Sequence, residues 1–597
     1  MSESDSMPSG ASFLWEASAG RTINAPERFT GEQREIARAA RKFAATEIFP
    51  RIAQIESKKS GLVPELLRKA GDLGLLMVDI PAEYGGLGLD KTTSMLIAEE
   101  FSVVGSFAVS LGAHTGIGTM PILYFGTPEQ KAAYLPDLAT GQRFAAYALT
   151  EPSSGSDALA AKTRADLSSD GSYYLLNGTK QFITNAGFAD VFTVFAQIGG
   201  NKFSAFIVDR TSPGLTVGPE EHKLGIRGSS TCALAFEDVK VPAANLLGEV
   251  GKGHRIAFNI LNVGRIKLGL GTIGAAKCAL EVSAKYAKER QQFGKPIGAF
   301  GLVASKLAEM AIGIFVGESM GYRTTGLIDQ RCRPGAGAGE GEEAHVDAIE
   351  EFAVEASIIK VYGSEVLDYC ADECVQIHGG YGFIEEYQPE RLFRDSRINR
   401  IFEGTNEINR LIVPATILKR AMKGQVPLIE RAAFIRAALA KGDIPKPDEG
   451  EFGVATQVVE FCKWIATYVL AVAAETYHVD IADQQEILGE LSDIISHVYA
   501  LDTAVARVRQ IAEGVGSELN KAVARDLLAA FAPPAYSFCV HTARHILMDV
   551  CDAESLPGHL EAVGKLRIDW PSKVIAAKRR IARAVLEADG YPIQREA

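Results

Sequence analysis

The sequence predicts an α+β protein in which a helical block, a block of strands and a second helical block follow one another, with a further helical region at the C-terminal end. Two changes of texture carry this prediction. Apolar residues recur at three and four in the first and third blocks, whereas residues 147–247 hold short runs rich in Val, Phe, Tyr, Thr and Ile. A third observation, the polar and proline-bearing passage KGDIPKPDEGEFG at 441–453, separates the last helical region as an added domain.

The first block contains long Ala-, Leu-, Ile- and Glu-rich segments such as GEQREIARAARKFAATEIFPRIAQIE at 31–56, broken once by Gly85, Gly86 and Gly88. The runs SYYLLNGTKQFITNA, DVFTVFAQI, KFSAFIVD and CALAFEDVKV read as strands, with Asn177-Gly178 a hairpin signal. Helical periodicity returns from 254 to 423, interrupted by RPGAGAGEGEEA at 333–344, which reads as a surface loop. Near the C-terminus, KVIAAKRRIARAVLEA at 573–588 is basic and amphipathic. It reads first as a helix packed on the core, with contact to an anionic membrane as the alternative. The expected domains are therefore 29–145, 146–253, 254–423 and 450–597.

Composition narrows the function. With 62 basic against 74 acidic residues the net charge is −12, which argues against a general nucleic-acid binder while leaving room for local phosphate pockets. The eight cysteines form no C-x-x-C pair and no zinc spacing, so no metal site is expected and the thiols read as core filler in a reduced compartment. The Ser-rich, acidic start MSESDSMPSG has neither the apolar centre of a secretion signal nor the pattern of a transit peptide. Apolar stretches such as 465–474 fall short of the ~20 residues that span a bilayer. A cytoplasmic, bacterial location is expected, with peripheral contact at the inner membrane face as an option.

Four stretches carry chemistry. YALTEPSSGSD at 147–157 is a loop of small and hydroxyl residues from which backbone amides, Thr150 and Ser156 can reach a ligand; alone it reads first as a turn capped by Asp157. FITN at 182–185 alone is equally an ordinary strand. KERQQFGKPIGAFG at 288–301 places Arg290 before a Gly/Pro turn, suited to a pyrophosphate or to capping a helix C-terminus. The segment at 375–417 contains Gly379, Gly380 and Gly382 and then Glu403-Gly404-Thr405, a turn just before a helix start. A carboxylate there can project into a cavity, or can simply cap a solvent-facing helix.

The order and spacing of PAEYGGLGLD, YALTEPSSGSD, NGTKQFITN, RQQFG and QIHGGYGF…IFEGTNEI resemble the acyl-CoA dehydrogenase family over 31–422. The resemblance implies an N-terminal helical domain, a β-domain and a C-terminal four-helix domain with FAD between them and against a neighbouring subunit. It implies that Tyr147, Leu149, Thr150, Gly155, Ser156, Phe182, Ile183 and Thr184 hold the isoalloxazine, with Ser156 also near the substrate. Arg290, Gln292, Phe293, Gln376, Gly379 and Gly380 are expected to reach the partner's FAD, and Thr405 and Glu407 to touch FAD. Asn262, Arg265, Phe402 and Gly404 are expected on the substrate side, with Phe402 and Gly404 flanking the thioester. Some members carry Trp where this chain has Phe182, so flavin stacking there differs in detail.

Some relatives place the base on an earlier helix, but the residue before Arg265 in LNVGRIKLG is Gly264, which leaves Glu403 as the matched candidate. GLGTIG at 269–274 fits a dinucleotide fingerprint but lies in a helical stretch rather than after a strand, so it is set aside. The implied reaction is removal of an α-proton by Glu403 and of a β-hydride by flavin N5, giving trans-2-enoyl-CoA in fatty acid β-oxidation. The extension beyond 441 resembles that of very-long-chain members, which implies a long-chain substrate, a dimer and electron-transferring flavoprotein as acceptor. Other readings are an oxidase using oxygen, a nitroalkane-type relative, and a flavoprotein scaffold or assembly factor with little turnover.

Overall fold

The computed structural model describes residues 9–18, 20–333, 341–514, 517–570 and 572–593. The first domain holds α1 (Gly31–Phe43), α2 (Leu62–Asp72), α3 (Lys91–Phe101), α4 (Gly105–Gly112) and α5 (Pro128–Thr140). Capping boxes open α1 and α5: the Thr30 and Thr127 side chains accept from the backbone amides of Gln33 and Gln130, whose side chains reach back. Apart from Glu100, every residue of α3 is buried, because this helix is wedged between the first domain and the third.

Eight strands form one sheet: β1 (Ala145–Ala148), β2 (Arg164–Leu167), β3 (Tyr173–Thr184), β4 (Val191–Ile198), β5 (Lys202–Asp209), β6 (Leu215–Glu220), β7 (Thr231–Pro242) and β8 (Leu246–Leu247). The order is β6-β7-β3-β2-β4-β5-β8, with β1 parallel to β4 in the register Ala145 to Val191. Strand β4 buries both faces, Phe192 and Val194 on one side and Val191 and Phe195 on the other. Asn177-Gly178 does not form the expected hairpin. Both residues lie inside β3, where a bulge interrupts the register between Leu176 and Gly178, and a Cβ on Gly178 would lie 2.5 Å from Thr163 Oγ1. The glycine answers a close approach rather than a turn.

The third domain is built on α6 (Gly253–Glu289), α7 (Gly301–Arg331), α8 (Ala353–His378) and α9 (Asn406–Met422). GLGTIG is helical, as expected: a Cβ at Gly269 would sit 2.3 Å from Ile359 Cγ2 and one at Gly274 2.1 Å from the Glu99 carbonyl. These glycines let helices touch. Of the loop expected at 333–344, residues 334–340 lie outside the described residues, and 341–344 already belong to the helix Gly341–Glu351.

After the helix Leu428–Lys441 and the linker, α10 (Gly453–Tyr477), α11 (Gln485–Ala512), α12 (Glu518–Val550) and α13 (Val574–Glu587) form the added bundle. By length and composition α10 and its continuation, 453–483, is long and apolar enough to cross a membrane, contrary to the short stretch read from sequence. Of its most apolar window 83% is buried inside the protein, so it is a core helix of the bundle. The basic helix α13 likewise packs inward through Ala577, Ile581, Ala582 and Val585.

One feature absent from the sequence reading is an arm at residues 9–18. Ala11, Phe13 and Leu14 are buried, and the Phe13 ring lies 4.7 Å from that of Tyr499 on α11. The arm ends at a buried ion cluster. Asp502 on α11, 1% exposed, meets Arg323 of α7 at 2.8 Å, Lys463 of α10 at 3.2 Å and Arg21 at 3.5 Å, and accepts from Ser18 Oγ. Burial alone would raise this carboxyl, but the three cations outweigh it and hold it far below the carboxylate range.

Removing Asp502 strands two buried cations, so Asp502→Ala is expected to destabilise the bundle by roughly 3–5 kcal/mol. Calorimetry should show the bundle's melting transition falling by several degrees. Because the native carboxyl is depressed, the contribution is present above the unfolded-state value and lost only on strong acidification.

Candidate active site

Where the three domains meet, a cavity of about 2360 Å³ opens between the sheet, α6 and α9. Tyr147, Leu149, Thr150, Gly155, Ser156, Phe182, Ile183 and Thr184 line it from the sheet side. Asn262 and Arg265 line it from α6, and Phe402, Glu403, Gly404 and Thr405 from the turn before α9. These motifs, far apart in sequence, are thus brought to one space.

The sheet-side wall is shaped by two devices. A register shift in β3 between Lys180 and Ile183 gives Phe182 a φ of 59° and presents its ring, 62% exposed, to the cavity. The loop 149–156 is pinned to the same strand by a buried ion pair. Lys180 Nζ donates to the Leu149 carbonyl at 3.0 Å and to Glu151 Oε1 at 2.7 Å, and Gln181 N donates to the Thr150 carbonyl at 2.8 Å. Desolvation pulls the Lys180 ammonium down to about 8 despite the partner carboxylate. Nothing would lie within 4 Å of a Cβ on Gly155, so the loop's backbone faces open space.

Glu403 and Gly404 both adopt left-handed backbone, φ 57° and 80°. Three hydrogen bonds from Asn409 Nδ2 hold the turn, to the carbonyls of Glu403 at 3.3 Å, Gly404 at 2.9 Å and Thr405 at 3.0 Å. Arg265 Nε donates to the Glu403 carbonyl at 3.3 Å while its Nη1 donates to Asn262 Oδ1 at 2.8 Å. Arg265 therefore grips the backbone of the turn. Thr405 caps α9 by accepting from Ile408 N at 3.2 Å.

The turn drives the Glu403 side chain toward α6. A Cβ on Gly264 would lie 2.6 Å from Glu403 Oε2, so that glycine is the recess into which the carboxylate fits. Oε2 is buried and, among the described residues, has no hydrogen-bond partner. Burial raises the carboxyl to about 7, against the opposing pull of Arg265 and Lys360. The same burial lowers Arg265 to about 10, and pushes the Tyr147 phenol well above its ordinary value with Glu403 adding to the effect.

A second, smaller cavity of about 150 Å³ also borders Glu403 and Phe402. It runs between α3, α4 and α6 along small side chains, among them Ala98, Gly112, Ala113, Gly271 and Ala275. Lys252, Arg255, Lys419 and Lys423 also line the larger cavity with exposed side chains, alongside the carboxylates of Glu249, Asp347, Glu350 and Glu351, and Arg255 lies 3.6 Å from Asp347. None of these cations was singled out from sequence. Lysines and arginines on helix surfaces give no signal until the fold brings them to one cavity.

Arg290, Gln292, Phe293, Gln376, Gly379 and Gly380 do not line this cavity. They lie exposed together elsewhere, with the Arg290 guanidinium 5.8 Å from the Tyr381 ring and Phe293 93% exposed. Glu407 is exposed on the first turn of α9, its carboxyl held down by its own amide and the Thr405 hydroxyl. Among the described residues no cluster of His, Cys, Asp and Glu is arranged to hold a metal ion.

Comparison with known proteins places the chain in one family. The acyl-CoA dehydrogenase N-terminal, middle and C-terminal domain models match residues 30–142, 146–239 and 251–418, and a further acyl-CoA dehydrogenase C-terminal domain model matches 462–565. A probable acyl-CoA dehydrogenase of Bacillus subtilis is 47% identical over 98% of both chains. The very-long-chain-specific mitochondrial enzyme of Rattus norvegicus is 36% identical over 84% of this chain and 77% of its own. A crystal structure of a Bacillus anthracis acyl-CoA dehydrogenase complexed with FAD superposes with a TM-score of 0.95 at 47% identity, covering 98% of this chain and all (100%) of that one. With matches across all four of its domains, the chain belongs to the acyl-CoA dehydrogenase family.

Proposed function

We propose that this protein is an FAD-dependent dehydrogenase of fatty acyl-CoA thioesters in which Glu403 is the base. The observation that carries the reading is the Glu403 carboxylate itself. It is desolvated and unpartnered at Oε2, and it borders both cavities. A structural carboxylate in such a place would be paired; one raised to about 7 is matched to proton abstraction near neutral pH.

The larger cavity suits FAD in its donor set. Thr150, Ser156 and Thr184 offer hydroxyls beside a glycine-opened loop, and Phe182 offers an aromatic face. When bound there, FAD supplies the acceptor for a hydride from the substrate's β-carbon. The chain's own residues do the rest. Glu403 takes the α-proton, and its own backbone amide supports the charge that develops on the thioester oxygen. Arg265, near the carboxylate without being paired to it, favours its ionised form. The apolar slot beyond Glu403 takes the acyl chain and excludes water, while Arg255, Lys252, Lys419 and Lys423 face the phosphates of coenzyme A.

The likeness to very-long-chain enzymes supports a long acyl chain. Exposed Phe293, Tyr381 and Phe383 beside Arg290 support a dimer in which these residues reach the partner's FAD. Electron-transferring flavoprotein is the proposed acceptor, from a cytoplasmic site.

Anaerobic titration of the yellow protein with palmitoyl-CoA should bleach the flavin, and Glu403→Gln should abolish bleaching while retaining FAD. A wild-type protein that stays yellow with long, short and branched thioesters would refute the reading. Since the base must be ionised, the rate of bleaching should rise with pH through about 7 and level off above it. Gly264→Ala, which puts a methyl 2.6 Å from Oε2, should displace the carboxylate and slow bleaching roughly 100-fold with FAD content unchanged.

A further inference from the structure

The turn that carries Glu403 is held from behind as well as by Asn409. Lys360 lies on α8 with a side chain 0% exposed, and its ammonium donates to the Gly404 carbonyl at 2.7 Å and to Asn406 Oδ1 at 2.7 Å. Asn406 Nδ2 donates onward to Ser364 Oγ at 3.0 Å and to Glu365 Oε1 at 3.1 Å. Glu365 receives both prongs of the Arg410 guanidinium, at 2.7 and 3.0 Å. The remaining Nε of Arg410 donates to Asp493 Oδ1 at 2.8 Å. Asp493 belongs to α11 of the added bundle, where the His497 ring one turn later stacks on Phe538 of α12 at 4.2 Å.

We propose that this hydrogen-bonded chain makes Lys360 the positioning residue of the Glu403 turn and makes the added bundle, through Asp493 and Arg410, part of the support of the active site. The proposal rests on the reading of Glu403 as the base. A buried ammonium is costly unless its donors are satisfied, and the acceptors of Lys360 are the carbonyl next to Glu403 and the first residue of α9. Arginine uses its planar fork to join three elements, α8, α9 and α11, which fixes their relative position more tightly than a single flexible contact does. The path from Asp493 to Gly404 is continuous, with every hydrogen bond at 3.1 Å or shorter. Its inner part, Lys360, Ser364 and Asn406, is buried, and its outer part, Glu365 and Asp493, is partly exposed.

The charges fix the direction of the effect. Glu403 is faced by Arg265 from α6, Lys360 from α8 and the Tyr147 phenol from β1; Lys360 is faced by Glu403, Arg265, Glu407 and Glu365. Burial lowers Lys360 to about 7, yet its cation still favours the ionised base. Removing it therefore moves the acid limb of the rate profile to higher pH.

The test measures kcat and KM for palmitoyl-CoA against pH, with FAD content and Tm, in wild-type holoenzyme and in Lys360→Met, Lys360→Arg and Asp493→Ala. Lys360→Met is expected to move the acid limb upward and lower kcat roughly tenfold at unchanged KM, with partial rescue in Lys360→Arg. Asp493→Ala is expected to lower kcat several-fold, again at unchanged KM. An acid limb that does not move in Lys360→Met overturns the proposal, as does a fall in kcat accompanied by equal changes in KM, FAD content and Tm. Should Lys360→Met fail to fold, Asp493→Ala carries the test, and an unchanged kcat in it overturns the proposal. Glu403→Gln in the same series separates the two readings: if it bleaches like wild type the base assignment fails, whatever Lys360 shows.

Discussion

A glutamate at φ 57° followed by a glycine at φ 80° is backbone that an L-amino acid adopts only at a cost of about 1–3 kcal/mol, and the surroundings of Glu403 are arranged to impose it. Asn409, Arg265 and Lys360 each direct a donor to a carbonyl of this one turn rather than to the carboxylate. The carboxylate is left to point at the bare backbone of Gly264, where its Oε2 is buried and, among the described residues, unpaired. Its raised proton affinity, the two cavities that meet at it and the glycine on the facing helix all follow from the direction in which that turn aims it.

The protein uses the same device twice. Lys180 behind the 149–156 loop and Lys360 behind the Glu403 turn are both buried ammoniums whose donors go to carbonyls of irregular backbone. Helices and strands satisfy their own carbonyls; turns that bend toward a ligand do not, and a buried lysine can supply the missing donors without filling the site. Desolvation depresses both amines, to about 8 and about 7. Each is thus a structural cation that operates near the edge of its charged range.

Much of this was legible in the sequence. Helix and strand blocks differ in period, so their order was readable, and the turn before α9 was marked by Gly404 and by the capping residue Thr405. Asn177-Gly178 misled because a glycine demanded by a neighbouring strand looks the same in sequence as one demanded by a turn. Lys360 carried a faint signal, a charge among the apolar residues of ASIIKVYG, but its partners Gly404 and Asn406 lie more than forty residues on. Gly264 was read only as the lack of an acid; that its missing Cβ is the recess for Glu403 depends on how α6 crosses the turn. Arg290, Gln292, Phe293, Gln376, Gly379 and Gly380 have no evident role in a single chain, since they are exposed and do not line its cavity.

The buried arm bears on how the chain reaches its native state. Ser18 hydrogen-bonds to Asp502 across 484 residues of sequence, and Ala11 N reaches Glu355 across 344. The α11 residues that receive the arm, Tyr499 and Asp502, are made long after it, so an otherwise folded amino-terminal half lacks the surface on which Phe13 packs until that helix has been made. Docking of the arm is accordingly a late, non-local event with a large loop-closure cost. It acts as a clasp between segments distant in sequence: without α11, Phe13 would lose the Tyr499 ring it packs on and Ser18 its acceptor Asp502, leaving exposed apolar side chains of the kind that quality-control factors recognise.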